Sequence, residues 1–298
     1  YKDDGKSGAP DTQTAGIAFK VTIESCDEKW NRSTSGQQVK VSADSVDQPY
    51  APTYNPANGI ANLSGGVVTV DIILKKATKT TFYAEDNDAT APTYSSQTVR
   101  NVNVVPNPDP PQLKLQLLVP VETADPGSPT GKKNTPADRI AGESFTVTAN
   151  LVDANWNFYN EGGLAVGTTV EITTDDPYDV HPASAALSNG TKQFSVKLIR
   201  AATSKITADD VDGKGEYHEK DTSPEIKTVP NNPTKLQIVC PGETAVQGKG
   251  KDGVPDNQTA GLNFLTTVRG CDDYWNLVKS TEPPGVKVRS DSDPFVVV

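Results

Sequence analysis

The chain has 298 residues and a formal net charge of −10, with acidic and basic residues interspersed along its length. A nucleic-acid partner is disfavoured, because phosphate binding needs clustered positive charge. No apolar run approaches the ~20 residues that a membrane-spanning helix needs, and the absence of Met with only two His leaves few side chains for redox or acid–base chemistry.

A recurring segment divides the chain into three parts. It begins at Ala15-Gly16, and returns at Ala141-Gly142 and at Ala260-Gly261. Proline-rich stretches at 105–111 and 229–233 separate the copies and predict stiff, extended linkers that hold neighbouring repeats apart in an elongated array. We expect a first repeat without its opening strand, a complete second repeat and the N-terminal half of a third, with bounds 1–111, 112–233 and 234–298.

Alternating apolar residues in the second repeat predict half-buried β-strands. In chain order, one face of each strand is formed by Leu113, Leu115 and Leu117; Phe145, Val147 and Ala149; Val170 and Ile172; Phe194, Val196 and Leu198; Ile206 and Ala208; Ile226 and Val229. Clusters of Gly, Pro, Asn and Asp separate these strands, and no stretch has a helical period. The pattern predicts an all-β chain whose repeats are two antiparallel sheets packed as a sandwich.

An acidic turn that ends in a Trp-Asn pair follows the second strand of every repeat. Its members are Asp27, Trp30 and Asn31; Asp153, Trp156 and Asn157; Asp272, Trp275 and Asn276. The run 145–157, followed by 169–172 and 206–209, resembles bacterial Ig-like domains of the invasin and intimin type, in which Gly usually stands in place of Trp156.

This resemblance implies tandem Ig-like domains in a stalk or adhesive array on a microbial surface, although fold alone does not establish function. We expect the three Trp side chains to be mostly buried at the same place in each domain, against the opening strand. The repeated Asn residues share this structural role.

Three cysteines occupy repeated positions. Cys240 ends the first strand of the third repeat and Cys271 ends its second, whereas the second repeat has Val119 and Val152 at these places. Since a bridging cysteine needs its partner, this joint loss predicts a Cys240–Cys271 disulfide. Cys26 matches Cys271, so its partner would lie outside the sequence. Three buried free thiols are the alternative.

Catalytic and nucleotide-binding motifs are not supported. Gly5-Lys6-Ser7 is similar to the end of a phosphate-binding loop, but Gly8-Ala9-Pro10 follows where a helix is needed. His181 and His218 do not recur in other repeats and are expected to be solvated. No set of nucleophile, His and acid recurs, and we expect no enzyme.

Aspartates cluster at strand ends, and calcium is the one cofactor they suggest. Ca²⁺ takes six to eight oxygen ligands from such loops, which makes Asp175, Asp176, Asp209 and Asp210 a possible site. Asp is also a preferred turn residue, and that simpler explanation is the alternative.

These features predict a non-enzymatic structural protein of the cell exterior, such as a stalk, an extracellular filament or a surface-layer component. Its expected partners are neighbouring copies or repeats of the same protein, including partners joined by strand addition. The alternative is an adhesin whose domains bind a glycan or a receptor, with Tyr50, Tyr54 and Tyr94 as candidate contact residues.

Overall fold

A computed structural model describes residues 5–88, 90–109, 113–161, 167–212, 218–279 and 284–292. Each sheet forms within one of three segments, which we call the first (5–109), second (113–233) and third (234–292) domains. The chain is all-β, as predicted. In the described ranges, no helix combines the length and apolar character needed to span a membrane.

The first domain is a sandwich of two sheets. One sheet has the order β1-β8-β7-β3-β5 and the other β2-β6-β4. Val41 and Phe82 from one sheet meet Val70 and Ile72 from the other in the core. The elements are β1 (Gln13–Thr14), β2 (Ala18–Glu24), β3 (Gln38–Ala43), β4 (Thr53–Asn55), a 3₁₀ turn (Ala57–Gly59), β5 (Ile60–Asn62), β6 (Val67–Ile73), β7 (Lys79–Asp86) and β8 (Gln97–Val105).

The second domain repeats this architecture and adds an opening strand. Its strands are β9 (Lys114–Leu118), β10 (Thr123–Ala124), β11 (Lys132–Lys133), β12 (Arg139–Ile140), β13 (Ser144–Val152), β14 (Thr169–Thr174), β15 (Ala185–Ala186), β16 (Thr191–Lys197), β17 (Thr203–Ser204), β18 (Ile206–Asp210), β19 (Asp221–Thr222) and β20 (Ile226–Val229). The sheet β16-β13-β9 packs on β15-β14-β18-β19.

The predicted apolar faces form this core. Leu115, Leu117, Val147, Ala149 and Ile172 are all buried, because alternate residues of a strand point to the same face of the sheet. Burying each such large aliphatic side chain contributes roughly 1.5–3 kcal/mol. Among the strands of the described ranges, pairing is antiparallel except that β1 runs parallel to β8 and β12 parallel to β20; an isolated parallel bridge also joins Lys114 to Glu219.

The third domain contains β21 (Lys235–Val239), β22 (Glu243–Val246), β23 (Gly250–Gly253) and β24 (Thr267–Cys271). β21 pairs with β24, as β9 pairs with β13 in the second domain. Leu236 is 57% exposed and Ile238 41%, whereas the matching Leu115 and Leu117 are 1% and 0% exposed. The apolar face of β21 is therefore largely uncovered in the described chain.

Candidate functional site at the domain junctions

The three Asp-x-x-Trp-Asn segments fold into the same turn. In the second domain, the Asp153 N–H donates to the Asn157 carbonyl (2.9 Å) and the Trp156 N–H to the Asp153 carbonyl (2.9 Å). The Asp153 carboxylate accepts the Asn155 and Asn157 N–H groups at 2.8 and 2.9 Å. Asp27 and Asp272 accept the matching bonds in the other domains.

Each Trp of these turns has left-handed backbone, with φ of +65° or +66°. This conformation costs a non-Gly residue roughly 1–2 kcal/mol, a cost that Gly would not carry. The ring offsets that cost through packing, because Trp156 lies against Gly131 on one side, and the Lys114 Nζ is 3.4 Å from its ring centroid. Lys235 lies 4.8 Å from the Trp275 ring centroid in the same way.

The expected contact between the ring and the opening strand is therefore confirmed for Trp156 and Trp275, since Lys114 and Lys235 are the first residues of β9 and β21. The expectation of nearly complete burial is wrong. Trp156 and Trp275 are half-buried and Trp30 is 38% exposed. The rings of Trp156 and Trp275 are covered by one Lys side chain and a Gly backbone, and the Trp30 ring lies against the backbone of Gly5, so core side chains do not enclose them.

The second turn joins the first and second domains. The Asn157 Nδ2 donates to the Lys75 carbonyl (2.8 Å), and the Asn157 Oδ1 accepts the Ala77 N–H (2.7 Å). The Asp153 Oδ2 accepts the N–H of Asn107, in the linker, at 2.9 Å. Asp153 and Asn157 are both fully buried, so these bonds are shielded from competition with water.

The third turn makes the same three bonds to the second domain. The Asn276 Nδ2 donates to the Ile199 carbonyl (2.8 Å), and the Asn276 Oδ1 accepts the Ala201 N–H (2.8 Å). The Asp272 Oδ2 accepts the N–H of Asn231, in the second linker, at 3.0 Å. The same turn therefore makes the same contacts at both domain junctions of the chain.

Further contacts surround each junction. Asn155 of the second domain packs against Gly16 of the first, and Tyr274 of the third packs against Gly142 of the second. At both glycines a Cβ would lie within 3 Å of the packed side chain. The Ala-Gly dipeptides of the first and second domains therefore leave room for a side chain of the next domain to pack against the backbone.

A hydrogen bond to a carboxylate adds to the first junction. The Tyr50 hydroxyl donates to Asp125 across the domain boundary, and Lys133 lies 2.9 Å from the same carboxylate. Partial burial opposes ionisation of Asp125, but the bonds from Tyr50 and Lys133 outweigh it and lower the pKa of this carboxyl. Tyr50 is thus a junction residue rather than an exposed contact for a ligand.

The turn of the first domain has the same internal bonds but is exposed. The Asn31 side chain and the backbone N–H groups of Asn31 and Lys29 lower the pKa of Asp27. The hydrogen bonds that the described structure gives to Asp27 and Asn31 stay within the turn.

The proline content predicted linkers that hold neighbouring domains apart. The structure shows the opposite, because both linkers bond to the turn of the following domain. Asn107 and Asn231 bring their backbone N–H groups onto the turn of the following domain. Sequence reasoning recognised Asn157 and Asn276 as repeated structural residues but missed their partners, because those partners are backbone carbonyl and N–H groups at 75–77 and 199–201. The available signal was the Val-Pro-Asn sequence shared by both linkers.

The predicted Cys240–Cys271 disulfide is wrong. All three cysteines are free, and Cys271 pairs with Lys235 at the opposite end of β21 from Cys240. Cys240 follows the last residue of β21 and Cys271 is the last residue of β24, so the antiparallel pairing places the two cysteines at opposite ends of the strand pair. The five residue steps from Lys235 to Cys240 span roughly 17 Å at about 3.4 Å per residue, far beyond the reach of a disulfide.

The predicted calcium site is also contradicted. Thr174 pairs with Ile206 and Val170 with Asp210, so Asp175 and Asp176 lie at one end of this strand pair and Asp209 and Asp210 at the other. Asp176 instead accepts the N–H groups of Ile199 and Arg200. Within the described ranges, no three His, Cys, Asp or Glu residues are grouped closely enough to hold a metal ion.

The remaining candidate residues from the sequence are the two histidines, Tyr54, Tyr94 and Gly5. His181 is exposed as expected, but His218 is buried, with its Nδ1 2.8 Å from Asp210. The hydroxyl of Tyr54 accepts the Ala43 N–H, and Tyr94 is half-buried. Gly5 packs against the ring of Trp30, which accounts for the glycine of the Gly5-Lys6-Ser7 motif.

No protein-family model and no curated protein matches the sequence. Among solved structures, the chain is similar to the D00-D0 domain of intimin, with 14% identity, coverage of 74% of this chain and 98% of that one, and a TM-score of 0.33. A C-terminal 282-residue fragment of intimin in complex with the intimin-binding domain of the translocated intimin receptor gives 15% identity, 80% and 66% coverage, and a TM-score of 0.26.

A β-glucuronidase of Parabacteroides merdae gives 10% identity, coverage of 71% of this chain and 25% of that one, and a TM-score of 0.27. Similarities this low do not bear on activity. The Ig-like assignment stands on the sheet order and registers of the chain itself.

Proposed function

We propose that this chain is a non-enzymatic repeat array of the cell exterior, in which the Asp-x-x-Trp-Asn turns fix each Ig-like domain to the one before it. The observation that carries this proposal is the identical set of three hydrogen bonds at both junctions. A spacer, stalk or filament needs reproducible angles between its domains, and buried side chains bonded to backbone groups supply them.

The domain junctions resist bending because both functional groups of each Asn amide are satisfied across the boundary. A change of domain angle would break the bond to a carbonyl and the bond to an N–H together, and leave buried polar groups without partners. Each such group costs about 1–3 kcal/mol. The proposed array is therefore stiff at the junctions as well as within the sandwiches.

Small-angle X-ray scattering of the intact chain tests this proposal. We expect Asn157→Ala with Asn276→Ala to shorten the mean end-to-end dimension and to give the scattering of domains that reorient freely. Asn31→Ala is the matched control, because it removes the same amide from the same turn in the first domain and should leave the scattering unchanged. Equal scattering curves for the wild type, the double variant and Asn31→Ala would contradict the proposal.

An adhesin is the second candidate, the alternative that the sequence left open. In this chain, Tyr50 and Tyr54 are engaged within the fold and its junctions, which favours the structural role. Binding of the wild-type chain to a glycan array or to whole target cells would instead favour the adhesin.

A further inference from the structure

A lysine and an aspartate of the second domain are in direct contact. The Lys132 Nζ, on β11, lies 2.5 Å from the Asp221 Oδ2, on β19. Only 11% of the Lys132 side chain and 14% of the Asp221 side chain are exposed. A nitrogen this close to a carboxylate oxygen lies near the roughly 3–3.5 Å separation from the carboxyl carbon at which two groups react. The pair is therefore largely shielded from water and positioned for bond formation.

A backbone group holds the Asp221 carboxylate in place. The Leu117 N–H, on β9, donates to the same Asp221 Oδ2 at 2.7 Å. Such a donor polarises the carboxyl group and stabilises the negative charge that develops on Oδ2 when a nucleophile adds to the carboxyl carbon. Oδ2 is therefore the oxygen that stays in a reaction of this group, and Oδ1 is the oxygen that can leave.

A second carboxyl group, that of Glu122, lies beside the pair and is buried, with 8% of the residue exposed. Glu122 stands two residues before the cross-strand partner of Lys132 in the β10–β11 ribbon, which makes it a diagonal neighbour of Lys132 on the same face. At the matching positions of the third domain, the Lys251 Nζ lies 2.8 Å from the Glu243 Oε1. The ribbon therefore brings a Glu to this Lys in both domains, and the second domain adds Asp221.

The surroundings of Glu122 suit proton transfer. Burial raises the pKa of its carboxyl group, against the lowering effects of the Val119 N–H and of the Lys132 charge, and the Asp221 charge raises the pKa further. A carboxyl group with a raised pKa takes up and releases a proton closer to neutral pH than usual. Glu122 can therefore accept a proton from Lys132 and pass it to a leaving oxygen of Asp221.

We propose that Lys132 and Asp221 condense to an isopeptide bond within the folded second domain. The Lys132 Nζ gives up a proton and adds to the Asp221 Cγ, and the Cγ–Oδ1 bond then breaks. Glu122 carries the two protons that the ammonium loses, one at a time, to Oδ1, which leaves as water. One ammonium and one carboxylate become one amide and one water, so no oxidant, nucleotide or other co-reactant is needed. Burial favours this product, because a neutral amide avoids the desolvation cost of two buried charges.

The bond would close a loop over residues 132–221, which contains the larger part of the second domain. A chain pulled at its two linkers would transmit the force through this bond, so the strands inside the loop would not extend. This inference goes beyond the proposed array function, because it adds covalent reinforcement within a domain to the stiff junctions between domains. The bond is separate from the junctions, so its absence would leave the scattering result for Asn157 and Asn276 unaffected.

The mass of the intact, folded chain tests the proposal. Wild-type protein should be lighter than its sequence mass by one water, and a tryptic digest should contain a branched peptide that joins Lys132 to Asp221. Lys132→Arg keeps a positive charge beside Asp221 but removes the reactive amine, so this variant should have its full sequence mass. Glu122→Gln removes the proton carrier. It should form the bond about 100-fold more slowly and be recovered mainly unlinked.

Lys251→Arg is the matched control, because it changes the same position in the third domain and should leave the loss of water in place. Wild-type protein with the full sequence mass would overturn the proposal. A loss of water that maps to a succinimide at an Asp-Gly pair, such as Asp252-Gly253, would overturn it as well. The wild-type mass and the branched peptide decide the question even where a variant fails to fold.

Discussion

Replacing Asp153 with Ala is expected to destabilise the chain by about 3–4 kcal/mol, since a charged acceptor with several buried donors is removed at once. The N–H groups of Asn107, Asn155 and Asn157 and the Asn157 amide would all lose their acceptor. Urea unfolding should show the loss, and hydrogen exchange should accelerate at these amides.

The matched control for Asp153→Ala is Asp27→Ala in the first domain. Asp27 accepts the same bonds within its turn, but the turn is exposed, so water can hydrate the released donors. Its loss of stability should be clearly smaller. Similar losses for the two variants would show that the Asp acts only inside its turn and that the junction adds nothing.

Replacing Trp156 with Ala is expected to cost about 2–3 kcal/mol, below the range for a fully buried Trp because the ring is half-exposed. Trp156→Gly should be about 1 kcal/mol more stable than Trp156→Ala, since Gly adopts left-handed backbone without the steric cost of a Cβ. This order reverses the usual one, in which Gly destabilises a folded segment more than Ala does.

Phe145 on β13 provides the control for the Trp156 pair. Its backbone is not left-handed, so Phe145→Gly should be less stable than Phe145→Ala by roughly 0.5–1 kcal/mol. Urea unfolding followed by circular dichroism measures all four variants without relying on Trp fluorescence. If Gly is the worse residue at both positions, left-handed strain at Trp156 does not matter for stability.

The sandwich fold was predictable because burial of one face imposes period-2 alternation on every strand. Leu115, Val147 and Ile172 were identified as core residues by that pattern alone, and all three are buried. The disulfide error shows the limit of the approach, since positions in a repeat do not reveal which ends of two antiparallel strands meet.

The junctions could be predicted only in part. Recurrence singled out Asn157 and Asn276, but their partners are backbone groups, such as the Lys75 carbonyl and the Ala77 N–H, that any residue type supplies. His218 was misjudged for a related reason. Its charged neighbours in sequence indicated a solvated loop, whereas the pairing with Asp210 depends on tertiary structure.

The distance distribution between the first and second domains tests most directly whether the junction fixes their orientation. Spin labels at Val46→Cys and Val180→Cys would occupy exposed sites in the two domains, in a background with Val at positions 26, 240 and 271. Val already stands at the matching positions 119 and 152. Double electron–electron resonance should give one narrow distance distribution, which Asn157→Ala broadens and Asn31→Ala leaves unchanged. A broad distribution in the chain with Asn157 intact would contradict the rigid junction.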